Sequence, residues 1–223
     1  MSGDLKKQAA LAALDEIRDG MVVGLGTGST ATHFIRGLGE RVRSGLKVSG
    51  IPTSEESRRL AEEVGVPLTT FRNHPEIDVT VDGADEVSPQ LDLIKGLGGA
   101  LVREKIVAHA SKRVIIVVDE SKLVAKLGTK TVIPVEVLTL AAPRLILQLK
   151  ELGGEAVVRE KNGQPFVSDN GNTILDWKHG LIDDPAVLEK QLKSMTGVVD
   201  SGIFAGVADS VIVAASSGIR KLS

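Results

Sequence analysis

Asp82-Gly83-Ala84-Asp85-Glu86, running on to Lys95-Gly96-Leu97-Gly98-Gly99-Ala100 and Arg103-Glu104-Lys105, is the stretch whose reading decides the fold. The apolar run Ile77 to Val81 reads as a strand that stops abruptly on two aspartates. A glycine-rich turn carrying Lys95 follows, then a helix from Gly99 to Ser111 that carries Glu104 in its opening turns. Beyond it, Arg113-Val-Ile-Ile-Val-Val118 has the unbroken apolar character of a strand in the middle of a parallel sheet. In an open α/β sheet, ligands bind at the loops beyond the carboxyl ends of the strands, so an acid pair, a cation and a further carboxylate collect where chemistry is expected.

Upstream, Asp4 can cap a helix in which Leu5, Ala9, Ala12 and Ile17 recur at helical spacing, and Gly20 ends it. Met21 to Leu25 reads as a buried strand running into Gly26-Thr27-Gly28-Ser29-Thr30 and a second helix with Phe34, Ile35 and Leu38. A strand, a glycine turn and a helix start offer free N–H groups and a positive dipole end to an anion. The spacing of Gly24, Gly26 and Gly28 is not that of a dinucleotide site, because Ser29 stands where the third glycine or alanine belongs. No Gly-Lys-Ser/Thr ending marks a nucleotide P-loop either. A phosphate or carboxylate site and a ligand-free tight turn remain the two readings. Lys47 to Ile51 is the next strand, Thr53-Ser-Glu-Glu56 a capping box for a helix through Val64, and Pro67 to Phe71 a short strand. This alternation predicts a doubly wound, mainly parallel sheet.

Downstream of Gly128 the pattern changes. Thr131 to Leu138 reads as a strand and Leu140 to Leu152 as a helix. Asn162-Gly163 turns a hairpin, Asn170-Gly171 turns again into Thr173 to Trp177, and Pro185 opens a helix closed near Gly197. Residues 129–204 are therefore expected to form a smaller α+β lobe. The apolar strand Ser210 to Ala215 should return to the first domain, 1–128 plus 205–223.

Composition narrows the function. The 223-residue chain has a net charge of -2 with interspersed acids and bases, which offers no bulk attraction to nucleic acid or an anionic membrane. It contains no cysteine, so disulfides and thiolate chemistry are out, and His33, His74, His109 and His179 show no helical ligand spacing. Met1-Ser-Gly-Asp-Leu-Lys-Lys lacks an apolar signal core and no apolar run reaches membrane-spanning length, so a cytoplasmic protein is expected.

Each site residue has a chemical and a plain reading. Asp82 and Asp85, if close and desolvated, would share a proton and shuttle it between substrate oxygens; otherwise they end a strand and bond local N–H groups. A magnesium site built from Asp82, Asp85 and Glu86 is a third option, normally completed by phosphate. Lys95 beside Gly96, Gly98 and Gly99 could face a developing oxyanion, or be an exposed loop lysine. Glu104 could take a proton α to a carbonyl, as a glutamate does in triose phosphate isomerisation, or merely suit the helix dipole.

Taken in order, Gly26-Thr-Gly-Ser-Thr30, Asp82-Gly-Ala-Asp85, Lys95-Gly-Leu-Gly98, Arg103-Glu-Lys105, Ser121-Lys122, Pro134-Val-Glu-Val137, Asp169-Asn-Gly-Asn172 and Gly202-Ile-Phe204 resemble ribose-5-phosphate isomerase of the A type. One departure is Leu97, where the family commonly has a further glycine. The resemblance implies a Rossmann-like domain with a smaller α+β, ferredoxin-like lobe, which is expected to make the subunit contact of a homodimer or larger assembly. It implies conversion of D-ribose 5-phosphate to D-ribulose 5-phosphate in the pentose phosphate pathway, without metal or organic cofactor. By motif, Glu104 would be the general base, Asp82 and Asp85 would assist ring opening and proton shuttling, and Lys95 with the N–H groups of Gly96, Leu97 and Gly98 would stabilise the enediolate. Thr27, Gly28, Ser29, Thr30 and Lys122 would hold substrate, chiefly its phosphate, with Lys6 a further phosphate contact; Gly83 and Ala84 would line the substrate. A non-catalytic sugar-phosphate sensor on the same scaffold would call for a basic helix-turn-helix segment, and an acyl-CoA transferase for a larger CoA surface.

Overall fold

The computed structural model describes residues 2–223. In chain order the elements are α1 (Ser2–Ala13), β1 (Val22–Leu25), α2 (Ser29–Arg43), β2 (Ser49–Pro52), α3 (Glu55–Val64), β3 (Val79–Asp82), β4 (Glu86–Val87), β5 (Leu93–Ile94), α4 (Leu101–His109) and β6 (Val114–Asp119). There follow β7 (Ile133–Val137), α5 (Ala142–Glu151), β8 (Glu155–Val158), β9 (Glu160–Lys161), β10 (Gln164–Pro165), β11 (Thr173–Lys178), α6 (Pro185–Lys193), β12 (Val198–Ser201), β13 (Ile203–Phe204), β14 (Ser210–Ala215) and β15 (Gly218–Leu222). They divide into two compact units. The first takes the chain up to Ala84, Arg103–Lys122 and Val207–Ser223, and the second takes Asp85–Val102 and Leu123–Gly206.

The first unit is built on a six-stranded sheet in the order β15-β14-β6-β3-β1-β2, parallel except for the β14–β15 pair. Alternate residues explain its two covered faces. Val23, Leu25, Val79, Val81, Ile115 and Val117 join Phe34, Ile35 and Leu38 of α2 and Ala9, Ala10 and Ala13 of α1 in one core, while Val22, Ile51 and Ile77 pack with Val107 of α4. The order reverses between β1 and β3, so the loops leaving these strands diverge there and open a crevice at their carboxyl ends. At this point side chains of β3 lie over glycines: a Cβ on Gly24 would lie 1.8 Å from Thr80 Oγ1, and one on Gly26 2.2 Å from Asp82 Oδ1.

Local expectations mostly hold, with shifts that have physical causes. The helix expected to be capped by Asp4 begins at Ser2, leaving Asp4 in its first turn, and it tightens into a 3-10 turn at Leu14–Glu16. The cap of α3 is Ser54, whose Oγ accepts the Ser57 N–H at 3.0 Å, one residue beyond the expected Thr53, and Gly65 closes the helix at φ 81°. Pro67 to Phe71 forms only a single bridge, Gly50 with Leu68. The strand Ser210 to Ala215 does return, parallel to β6, and β15, which the sequence reading missed, folds back antiparallel along it.

In the second unit β7, α5, β8, β11, α6 and β12 follow the β-α-β-β-α-β succession, with four antiparallel strands in the order β12-β7-β11-β8, a ferredoxin-like arrangement. Val135, Val137, Leu175 and Trp177 face Leu145, Leu149, Leu188 and Leu192 from the two helices. Asn162 and Gly163, at φ 56° and 73°, make the expected hairpin turn. Two of the quoted motifs meet at Glu136, fully buried, whose Oε1 accepts from Ser168 Oγ and from the side-chain amides of Asn170 and Asn172 at 2.9 to 3.0 Å.

The division between units differs from the expected 1–128 plus 205–223 and 129–204. Residues 85–102 belong with the second unit because β4 and β5 pair antiparallel with each other and β5 pairs with β13, not with the parallel sheet. Ile94 packs into the core of that unit.

Asp78 ties the start of β3 to β1. Its Oδ2 accepts the Val22 N–H at 2.9 Å and its Oδ1 the Lys112 ammonium at 3.0 Å, and these donors hold its carboxyl below the usual aspartate range, the Val22 N–H most of all. A depressed folded pKa means the contribution is complete above the unfolded value of about 3.9 and is lost as pH falls through the folded one. Urea unfolding of Asp78→Asn followed downward from neutral pH is therefore expected to show a shallower loss of stability below about pH 4 than the wild-type chain.

Candidate active site

In the first unit the loop after β1 is held from two sides. The Thr27 N–H donates to Asp82 Oδ1 at 3.0 Å, and the same oxygen accepts the Gly83 N–H at 2.7 Å. On the other side Thr27 Oγ1 lies 2.7 Å from Thr53 Oγ1, 2.8 Å from Ser54 Oγ and 3.1 Å from Ser57 Oγ, and Ser57 Oγ donates to the Gly26 carbonyl at 2.6 Å. The expected substrate donor Thr27 thus turns its hydroxyl into a cluster that shapes the loop. The members Thr53, Ser54 and Ser57 had been read from the sequence only for helix capping or not at all.

Gly28, at φ 98°, swings the chain into α2 without a side-chain cap, so Ser29 and Thr30 present the helix start. Lys6 reaches it from α1, its Nζ 3.1 Å from Ser29 Oγ. An ammonium, a hydroxyl and a helix amino terminus together have the chemistry to hold an anion.

Asp82 is 2% exposed at the end of β3, and Glu104 is 4% exposed in the first turn of α4. The neighbouring Arg103 is drawn to Glu55 at 3.1 Å, and Arg58 first and Arg103 second hold the Glu55 carboxyl below its ordinary range. Lys122 ends the 3-10 turn after β6, half-buried. Asp119, not singled out by the sequence reading, which ends the apolar strand at Val118, fixes that turn: its Oδ1 accepts the Ser121 N–H at 2.9 Å and the Ser121 hydroxyl.

In the second unit Asp85 Oδ2 accepts the Leu97 N–H at 3.0 Å, joining the second aspartate to the lysine loop. Lys95 is no exposed loop residue: it is 4% exposed, with its ammonium 5.5 Å from the centre of the Phe204 ring. Its N–H donates to the Gly202 carbonyl at 2.8 Å, an approach that requires glycine, since a Cβ at position 202 would lie 2.2 Å from the Lys95 carbonyl. Gly96 takes φ 95°, and Leu97 and Gly98 are exposed.

Against known proteins, the family model for ribose 5-phosphate isomerase A (phosphoriboisomerase A) matches residues 49–218. Ribose-5-phosphate isomerase A of Methanothermobacter thermautotrophicus is 51% identical over 222 residues, covering 98% of this chain and 97% of that protein. The chain belongs to the ribose 5-phosphate isomerase A family. Its homologue from Rhodopseudomonas palustris is 52% identical over 226 residues, covering 98% of this chain and 97% of its own. Among solved structures, a D-ribose-5-phosphate isomerase in complex with phospho-erythronic acid superposes with a TM-score of 0.97 at 43% identity, over 100% of this chain and 99% of that one. The isomerase A of Methanocaldococcus jannaschii gives 0.95 at 46% identity, over 99% and 98%.

Within this family member, the third acid of the stretch has another task. Glu86, fully buried, accepts the Gly128 N–H on Oε2 at 2.7 Å, and on Oε1 the Lys130 N–H, the Thr131 N–H at 2.7 Å and the Thr131 hydroxyl at 3.2 Å. Both its oxygens are occupied by protein donors, which removes it from the magnesium option. Among the described residues no group of three or more His, Asp or Glu side chains is arranged to hold a metal ion, and no helix is long and apolar enough to cross a membrane. Replacing Glu86 by Gln sets an amide NH2 against backbone donors, so Glu86→Gln is expected to lose about 3 kcal/mol in urea unfolding.

Proposed function

We propose that this chain interconverts D-ribose 5-phosphate and D-ribulose 5-phosphate by moving protons through an enediolate. Family membership over 98% of the chain carries the activity, and the burial of Glu104, unusual for a carboxylate, best supports the mechanism. Phospho-erythronic acid, bound by the structural relative, carries a phosphate at one end and a planar carboxylate at the other, a charge match for an enediolate tethered by its phosphate.

In this reading Gly28, Ser29 and Thr30 at the start of α2, with Lys6 and Lys122, take the phosphate. Thr27 contributes through the loop shape that its hydroxyl maintains. Asp82 and Asp85, with Gly83 and Ala84 between them, meet the sugar oxygens and help open the ring. Glu104 then removes the C2 proton of the open aldose while the C2 electrons form the C1–C2 double bond and charge collects on O1. Lys95 and the N–H groups of Gly96 and Gly98 stabilise that oxygen, the expected Leu97 N–H being taken by Asp85. A proton passes from O2 to O1, Glu104 returns its own to C1, and the carbonyl now stands at C2. No hydride or electron leaves the sugar, so the chemistry asks for acid, base and oxyanion donors alone. We also propose that the chain works in the cytoplasm as a homo-oligomer, in line with the family resemblance.

The test is turnover of ribose 5-phosphate with and without chelator. The wild-type rate is expected to survive chelation, and Glu104→Gln is expected to lower kcat by about a thousandfold with little change in KM. A fully active Glu104→Gln would remove the base assignment, and strict metal dependence the proton-transfer mechanism.

A further inference from the structure

The lysine loop is held from behind by an ion pair that plays no part in the proton steps. Arg159, in the link between β8 and β9, has a side chain only 10% exposed, and that of Asp176 on β11 is 22% exposed. Arg159 Nε donates to both carboxylate oxygens of Asp176 at 3.1 and 3.0 Å, and Nη2 adds a further bond to Oδ1. This leaves Nη1, which donates to the carbonyls of Gly96 at 2.9 Å and Leu97 at 3.0 Å. The arginine is itself pinned to its neighbours: its N–H donates to the Ile174 carbonyl and its carbonyl accepts the Phe166 N–H, both at 2.8 Å. The Phe166 ring closes the far end of the loop, standing 2.5 Å from where a Cβ on Gly99 would be.

In a trans peptide the carbonyl and the following N–H point in opposite directions, and there is no cis bond among the described residues. Holding the Gly96 carbonyl therefore turns the Leu97 N–H away, where it meets Asp85. Holding the Leu97 carbonyl turns the Gly98 N–H away as well. We infer that Arg159, oriented by Asp176, is a positioning residue that fixes the lysine loop, seating its Leu97 N–H on Asp85 and aiming its Gly98 N–H for enediolate stabilisation; this rests on the isomerase reading above. Lysine cannot replace it, because a point ammonium does not bracket a carboxylate and two carbonyls at once.

The experiment compares the wild-type chain with Arg159→Ala, Arg159→Lys and Asp176→Asn in steady-state kinetics, with circular dichroism and thermal unfolding on each. Arg159→Ala is expected to lower kcat by about ten- to a hundredfold, as misaimed catalytic groups do, while KM moves by less than about threefold. Added guanidinium should restore part of kcat in Arg159→Ala and none in Glu104→Gln. Arg159→Lys and Asp176→Asn should show smaller losses of the same kind, and they carry the test if Arg159→Ala does not fold. A folded Arg159→Ala with kcat within about twofold of wild type overturns the role, as does a loss confined to KM or one that follows the folded fraction without guanidinium rescue. A wild-type chain inactive on ribose 5-phosphate overturns the isomerase reading and this role with it; an active wild type beside unaffected variants overturns this role alone.

Discussion

The fit of β3 side chains over bare glycines is the constraint on which the first unit depends. With glycine at positions 24 and 26, Thr80 and Asp82 fill the space where a Cβ would project. That fit seats the Asp82 carboxylate where the Thr27 N–H reaches it, and it occurs where the strand order reverses. The turn into α2 and the placement of Asp82 are therefore two outcomes of one packing condition.

The second unit relies on a different device, the buried carboxylate used as a fastener. Glu86 gathers the backbone of Gly128, Lys130 and Thr131, and Glu136 gathers the turn through Ser168, Asn170 and Asn172. Burying such groups is costly unless their oxygens find donors, so each one specifies where a whole segment of chain must lie. Asp176 does the same for Arg159.

Much of this was legible from letters alone, and the reasons for success and failure are physical. The strand through Val117, the Asn162-Gly163 hairpin and the returning strand at Ser210 carry strong local signals: apolar runs in two cases and a turn dipeptide in the third. The two-residue strands β4, β5 and β13 show no periodicity, and their pairing joins Leu93 to Phe204, partners more than a hundred residues apart. The division of the chain was misplaced for that reason. β15 was invisible because its Gly-Ile-Arg-Lys-Leu sequence is exposed along the sheet edge and has no buried face to alternate. At the site, residue types were readable, whereas the second tasks of Glu86, Thr27 and Arg159 depend on which distant backbone atoms come within reach. Spacing along the chain does not encode that.

The hydroxyls of Thr27, Thr53, Ser54 and Ser57 carry one more implication. Each can give or receive a hydrogen by simple rotation about its C–O bond, and none ionises at any acidity a cell encounters. This flank of the loop is consequently braced by a connection indifferent to pH, with Ser57 and Thr53 anchored by donating to the Gly26 and Leu25 carbonyls. A phosphate arriving as monoanion or as dianion would find the same scaffold waiting.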